Sequence, residues 1–200
     1  MTDPRPSLLA LARDTVSDPA TGARRVLALA PGEGVLWEAL VAMVAVGVLL
    51  SELNNYLIGS PTGLVPQMLV ANPLLTAVSQ FGLLVVAIYA IHFIGRAVGG
   101  TGTFAGAMAL TVWLQFIMVC LQVVQIVFLI IMPPIASLIG ILGLGLSLWL
   151  LSHFVAVLHG FPSVLKTFVG IIASTVGIAF GMTLIMTILG ITLGGAVSDV

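Results

Sequence analysis

Five long apolar runs constrain this chain more than any other feature of its sequence. They cover residues 35–57, 74–95, 104–131, 135–158 and 164–192. An α-helix needs about 20 apolar residues to cross the hydrocarbon core of a bilayer, and each run is long enough. Only 6% of the residues are charged and 60% are hydrophobic, whereas about 25% are charged in an average soluble domain. The sequence therefore predicts an all-α, polytopic membrane bundle of five transmembrane helices.

The positively charged residues predict how these helices are oriented. Arg5, Arg13, Arg24 and Arg25 precede the first run, Arg96 lies between the second and third, and Lys166 follows the fourth. The links after the first, third and fifth runs contain neither Lys nor Arg. The positive-inside rule then places the N-terminus in the cytosol and the C-terminus outside. Four or six spans would put Lys166 or Arg96 on the wrong side, so the cations also favour five.

The predicted membrane domain, residues 35–192, separates two short segments outside the bilayer. Residues 1–34 are expected to form a cytosolic N-terminal segment, and residues 193–200 a short non-cytosolic tail. The link between the first two runs, residues 58–73, contains several prolines and glycines and no charge. We expect an ordered loop close to the membrane surface there.

The N-terminal segment has the pattern of a cationic amphipathic helix. Asp18-Pro19 is typical of a helix cap followed by proline at the first helical position. In the helix that follows, Arg24 and Arg25 lie opposite an apolar side. Such segments tend to lie in the headgroup plane, next to anionic lipid. The alternative is a solvated, partly frayed tail.

A glycine-rich turn follows the second run, and a related sequence follows the fourth. In residues 92–106, His-Phe ends the run, a short glycine-containing link with one cation follows, and Thr-Phe-x-Gly opens the next run; residues 153–170 have the same plan. The match indicates either a parallel repeat of helical hairpins or a chance likeness. The turn lacks the Lys-Ser/Thr pair of a phosphate-binding loop. We therefore expect a cytosolic hinge where two helices approach closely, and no nucleotide site.

Polar residues form a stripe along the third run. Thr111, Gln115, Gln122 and Gln125 recur at helical spacing. Polar side chains in hydrocarbon are expected to face the bundle interior. They either hydrogen-bond neighbouring helices, at about 0.6–2 kcal/mol per contact, or line a path for a small solute. No carboxylate lies deep in a run, which favours hydrogen bonding.

Few residues of this sequence are suited to catalysis. No pair of carboxylates and no Ser-His-Asp set is indicated, and His153 and His159 lie on different faces of one helix, which makes a poor metal pair. The single cysteine, Cys120, cannot form an intrachain disulfide. The net charge of −1 makes nucleic acid an unsuitable partner. We predict no catalytic site, no cofactor and no bound metal.

Together these features resemble the Yip family of Ypt/Rab-interacting membrane proteins, in its bacterial branch. The resemblance covers roughly residues 18–192, and it rests on Asp18-Pro19 before a short helix, on the five runs and on the glycine motif. The residues of that motif and turn are Arg96, Gly99, Gly100, Gly102, Thr103 and Phe104. Residues 105–115 lack the proline that many relatives carry there.

The resemblance implies a non-enzymatic, multi-pass protein of the bacterial cytoplasmic membrane. Relatives organise membranes or act in vesicle trafficking, so we expect a scaffold that binds anionic lipid, other membrane proteins or further copies of itself. The sequence lacks the Asp-Leu-Tyr-Gly-Pro motif of eukaryotic relatives, so their binding of Rab-type GTPases is not carried over. A small-solute or ion transporter lined by the polar stripe is the alternative.

Overall fold

The structure, a computed structural model, describes residues 7–29, 31–58 and 72–188. Within these ranges the chain forms seven α-helices and no strand. They are α1 (Leu8–Ser17), α2 (Pro19–Leu29), α3 (Glu33–Ile58), α4 (Pro73–Ala97), α5 (Phe104–Ile131), α6 (Pro133–His159) and α7 (Val164–Ile188). The last five are long and apolar enough to cross a membrane. This finding confirms the predicted all-α bundle with five candidate spans.

Some of the sequence predictions concern residues outside the described ranges. They are the loop predicted for residues 58–73, apart from its two ends, the tail predicted for residues 193–200, and Arg5. The fifth run, predicted to reach residue 192, is described as a helix as far as Ile188.

Side chains that accept hydrogen bonds from free backbone N–H groups fix where several helices begin. Asn72 Oδ1 accepts from the N–H groups of Leu74 and Leu75 at the start of α4. Thr103 Oγ1 accepts from the Gly106 N–H at the start of α5. A cap of this kind is typically worth about 1 kcal/mol. Proline begins α2, α4 and α6, where its missing N–H costs nothing.

Helix α5 lies at the centre of the bundle and contacts α2, α3, α4 and α6. Helix α7 packs mainly along α6 and leaves most of its apolar surface exposed. A helix that is hydrophobic on all sides and little covered by protein is expected where lipid surrounds it. The outer position of α7 therefore agrees with a membrane bundle.

The most completely buried side chains concentrate at one end of the bundle. Leu40 belongs to the first half of α3, Ile88 to the second half of α4, Met108 to the start of α5, and Phe154 to the end of α6. Successive helices run in opposite directions, so these segments meet at the same end. The buried residues of α1 and α2 join the same cluster. The two short helices thus complete the core at this end.

Two turns meet at this end of the bundle: residues 98–103 between α4 and α5, and residues 160–163 between α6 and α7. The Thr101 N–H donates to the His159 carbonyl at 3.3 Å. Arg96 belongs to the last turn of α4, just before the first turn, and Lys166 follows the second, so their positive charges share one end. We call the two turns, together with α1 and α2, the cationic end. That it faces the cytosol is the prediction of the positive-inside rule.

Candidate functional site

Helices α1 and α2 form a hairpin that packs onto the cationic end. The Thr15 hydroxyl, fully buried, donates to the Leu11 carbonyl at 2.7 Å and accepts from Trp113 Nε1 of α5 at 3.2 Å. Gly22 of α2 lies against Thr15, and a Cβ there would come within 2.5 Å of Thr15 Oγ1. One residue of α1 therefore fixes the hairpin to the membrane bundle and sets the approach of α2.

That the N-terminal segment lies in the headgroup plane stays a prediction, but part of its apolar side is not available to lipid. Leu11, Ala12, Ala23 and Val26 face the protein core instead. The exchange is favourable because burying apolar surface against protein removes it from water just as lipid would. Sequence reasoning missed the contact between Thr15 and Trp113, since these residues lie 98 positions apart. The sign of this contact in the sequence was that Thr15 lies on the same helical face as the apolar residues Leu11 and Ala12.

The two arginines of α2 have different electrostatic surroundings. Arg25 Nη1 forms an ion pair with Asp14 Oδ2 at 3.1 Å, with both side chains about half exposed (52% and 56%). Arg24 Nη2 donates to the Thr21 hydroxyl at 3.1 Å. Among the described residues, no carboxylate lies within ion-pair distance of Arg24. The hairpin thus exposes one arginine within an ion pair and one arginine outside any ion pair of the described residues.

The Asp18-Pro19 motif caps α2. Asp18 Oδ1 accepts from the Thr21 N–H at 3.1 Å, and Pro19 is the first helical residue. Hydrogen bonds from the Thr21 side chain and backbone, helped by the charge of Arg24, lower the pKa of Asp18 below its ordinary value. These interactions favour the ionised carboxylate, the form that caps a helix N-terminus best.

The glycine motif forms a cradle for one histidine. His159, at the end of α6, is 2% exposed, and its imidazole packs against Gly95, Gly100 and Gly102 so closely that a Cβ on any of them would overlap it. Its Nδ1 accepts from the Gly102 N–H at 3.2 Å, and its Nε2 lies 3.0 Å from the Ile91 carbonyl. This pairing requires a proton on Nε2 and none on Nδ1, which is the neutral imidazole.

The remaining residues of the motif shape the turn. Gly99 has φ +92°, a left-handed conformation that strongly favours glycine. Thr103 caps α5, and the Phe104 ring contacts Tyr89 and His92, with ring centroids 5.0 and 5.9 Å apart. Arg96 is exposed at the end of α4. The motif thus closes the turn between α4 and α5 and receives the end of α6.

The two related turns share their backbone geometry in part. Gly99 and Gly160 both have positive φ, and in each turn the next residue donates back five positions, Gly100 to Gly95 and Phe161 to Ala156. These bonds form the same helix-ending motif. The following helices are capped by Thr103 and by Ser163, whose Oγ accepts from the Lys166 N–H. In the sequence match Thr103 corresponds to Thr167, but the residue that caps α7 is Ser163, four residues earlier. The two stretches therefore correspond position by position only as far as Gly99 and Gly160.

The polar stripe of α5 contacts more than one neighbouring element. Gln122 Nε2 donates to the Ser51 hydroxyl at 3.0 Å and approaches the Gly47 carbonyl of α3 at 3.4 Å. Gln125 packs against Gly140 of α6. Thr111 is buried, and its hydroxyl bonds within its own helix. Gln115 is half-buried, and its side chain makes no hydrogen bond to another described residue.

The space beside Thr111 is a cavity of about 10 Å³, at the lower limit for one water molecule. Gly177 and Gly181, whose spacing is typical of close helix contacts, have no described atom within 4 Å of the place where a Cβ would stand. The described residues also contain no group of three or more His, Cys, Asp or Glu side chains placed to hold a metal ion.

Comparison with protein families matches the chain to the Yip1 domain over residues 13–186. The match begins within α1 and ends within α7, so it includes most of the hairpin, the histidine cradle and all five long helices. Neither the curated proteins nor the solved structures contain a match to this chain.

Proposed function

The chain belongs to the Yip family of multi-pass membrane proteins, and on that premise we propose that it is a non-catalytic scaffold that organises membranes. Its cationic end would bind anionic lipid or a protein partner, in the manner of a trafficking protein. We place it in the cytoplasmic membrane of a bacterium, with the cationic end in the cytosol. Self-association through its exposed helices is part of the same proposal.

The observation that carries this proposal is the docked hairpin. Because Thr15 bonds to Trp113, α2 holds a fixed position on the bundle, with Arg24 and Arg25 exposed. A basic side chain near an anionic membrane surface contributes about 1 kcal/mol of attraction. A fixed array loses less conformational entropy on binding than a mobile tail would. The hairpin is therefore suited to recognition at the membrane surface.

The polar stripe favours a scaffold over a conduit for solutes. A conduit requires polar groups that face an open, hydrated path. Gln122 instead bonds across to α3, and Gln125 packs on α6. These contacts use the amides to hold helices together, which is the role that a structural bundle requires.

The proposal is tested on the intact protein in its native membrane. Extraction into polymer nanodiscs keeps the surrounding lipid and protein, which are then quantified by mass spectrometry. We expect enrichment of anionic lipid or of one protein over the bulk membrane, reduced in a variant carrying both Arg24→Glu and Arg25→Glu. In a parallel experiment, liposomes that contain the protein are tested for solute flux. A nanodisc composition equal to the bulk membrane, unchanged by the double variant, would contradict the proposal.

A further inference from the structure

A cleft of about 530 Å³ opens at the cationic end, between α2 and the turn that joins α6 to α7. Its volume lies within the range of small-molecule sites. Side chains from three segments line it: Arg24 and Leu27 from α2, His153 and Val157 from α6, and Phe161 and Val164 around the turn. The cleft therefore exists only because the hairpin is docked on the bundle.

The two polar side chains of the cleft favour an anionic ligand. Arg24 is exposed, and among the described residues no carboxylate lies within ion-pair distance of it, so its guanidinium keeps N–H groups available. His153 Nδ1 lies 2.8 Å from the Trp149 carbonyl, which fixes the proton on that nitrogen. No described residue hydrogen-bonds His153 Nε2. The Arg24 guanidinium is suited to a phosphate. His153 Nε2, which carries no proton when the neutral ring has its proton on Nδ1, is suited to accept a hydrogen bond from a hydroxyl beside that phosphate.

The position of the cleft distinguishes a lipid from a soluble anion. His153 lies seven residues before Gly160, or about 10 Å along the helix, so the cleft extends from the turn toward the hydrocarbon core. Trp149, one turn further in, is 42% exposed and stacks edge-on with His153 at 4.9 Å. Partly exposed tryptophan of this kind is enriched at the boundary between headgroups and acyl chains. The cleft thus spans that boundary.

We propose that this cleft binds one anionic glycerophospholipid. Arg24 donates to its phosphate, His153 Nε2 accepts from a hydroxyl of its headgroup, and Leu27, Val157 and Val164 contact the glycerol and the first part of an acyl chain. A free phosphate would leave these apolar walls uncovered, whereas a phospholipid matches both halves of the cleft. This inference rests on the proposed function, because both place the cationic end against an anionic membrane surface.

The experiment measures lipid binding to the intact protein, purified in neutral detergent, by native mass spectrometry. Phosphatidylglycerol is titrated against phosphatidylcholine as the neutral probe. Arg24→Gln removes the charge that faces the cleft, and Arg25→Gln, its matched control, removes the neighbouring charge that is paired with Asp14. We expect one phosphatidylglycerol to be retained preferentially, with its Kd about tenfold weaker in Arg24→Gln, the effect of losing one charge-assisted hydrogen bond. Arg25→Gln should change the Kd much less.

A second variant tests the apolar half of the cleft without changing any charge. Val157→Phe fills the space, and it should weaken binding of phosphatidylglycerol while thermal unfolding shows that the protein remains folded. Inorganic phosphate should not displace the lipid at concentrations comparable to the lipid's Kd. Displacement by phosphate, or binding that Val157→Phe leaves unchanged, would show that the cleft is not a phospholipid site.

The outcomes separate this inference from the proposed function. Equal weakening by Arg24→Gln and Arg25→Gln would overturn the cleft and leave a diffuse cationic surface, which the proposed function also permits. Equal retention of phosphatidylglycerol and phosphatidylcholine would overturn the cleft as well. The proposed function would then rest on the nanodisc experiment, which shows whether a protein partner is enriched with the protein.

Discussion

Gly102 donates its backbone N–H to Nδ1 of His159 across 57 residues of sequence, at 3.2 Å. The contact joins the glycine motif that follows α4 to the last residue of α6. Because the space for the imidazole exists only where Gly95, Gly100 and Gly102 lack a Cβ, the motif and the histidine act as one unit. The glycines of this motif thus have a packing role that depends on a residue far along the chain.

Replacing Gly102 with alanine should destabilise the bundle. A Cβ at this position would lie 2.6 Å from Cε1 of His159. The ring cannot move away, because it also packs closely against the backbone of Gly95 and Gly100. Overpacking of this kind costs about 1–3 kcal/mol. Thermal unfolding in detergent should show a lower Tm for Gly102→Ala. Gly177→Ala is the control, because no described atom lies within 4 Å of the new Cβ, and an equal Tm for both variants would contradict the cradle.

Replacing His159 with phenylalanine should be destabilising although an aromatic ring is retained. The change leaves the Gly102 N–H and the Ile91 carbonyl without their side-chain partner in a buried site. An unsatisfied buried polar group costs about 1–3 kcal/mol. His153→Phe should lower the free energy of unfolding less, since His153 bonds only to a carbonyl of its own helix. Urea unfolding compares the two, and a more stable His159→Phe protein would refute the role of the hydrogen bonds.

Replacing Thr15 with valine should loosen the hairpin without unfolding the long helices. Valine has nearly the shape of threonine, so the contact with Gly22 is kept while the acceptor for Trp113 Nε1 is lost. A buried N–H left without a partner costs about 1–3 kcal/mol. Trypsin should then cut faster after Arg24 and Arg25. Ser17→Ala is the control, because the exposed Ser17 bonds only to Arg13 of α1; equal cutting rates in both variants would argue against the docked hairpin.

Replacing Gln122 with leucine tests whether the polar stripe holds helices together. The change removes the bond from α5 to Ser51 of α3, and we expect a loss of about 0.6–2 kcal/mol. Gln115→Leu should cost less, because no hydrogen bond joins Gln115 to another described helix. Unfolding in mixed detergent measures both variants. A solute flux in liposomes that Gln122→Leu abolishes, with stability unchanged, would favour a conduit instead.

The orientation predicted by the cations is tested at the other end of the chain. A reporter that is active only outside the cytosol, fused after Val200, should be active, because five spans separate the two termini. The same reporter inserted after Gly99 should be inactive, since that turn belongs to the cationic end. Activity at Gly99 would reverse the predicted orientation, and inactivity at Val200 would contradict the number of spans.

The turn between α4 and α5 shows which contacts the sequence pattern predicted and which it did not. The glycine motif predicted a close approach of helices, and Gly99 does end α4 in a left-handed conformation. The pattern indicated contact between the two helices that flank the turn, whereas the cradle receives His159 of α6. A periodic pattern reports which face of a helix is buried, and it carries no information on which distant element covers that face.

The sequence by itself determined the number, type and approximate bounds of the long helices, because apolar length and the need to satisfy backbone hydrogen bonds in lipid leave few alternatives. It also located the Asp18 cap and the glycine turn, whose conformations depend on neighbouring residues. Only the tertiary structure decided that α1 and α2 dock on the bundle, that Arg25 is neutralised while Arg24 lines a cleft, and that His159 fills the glycine cradle. Each of these contacts joins residues from different helices. Their partners are chosen by shape and hydrogen bonding in three dimensions, which no local pattern encodes.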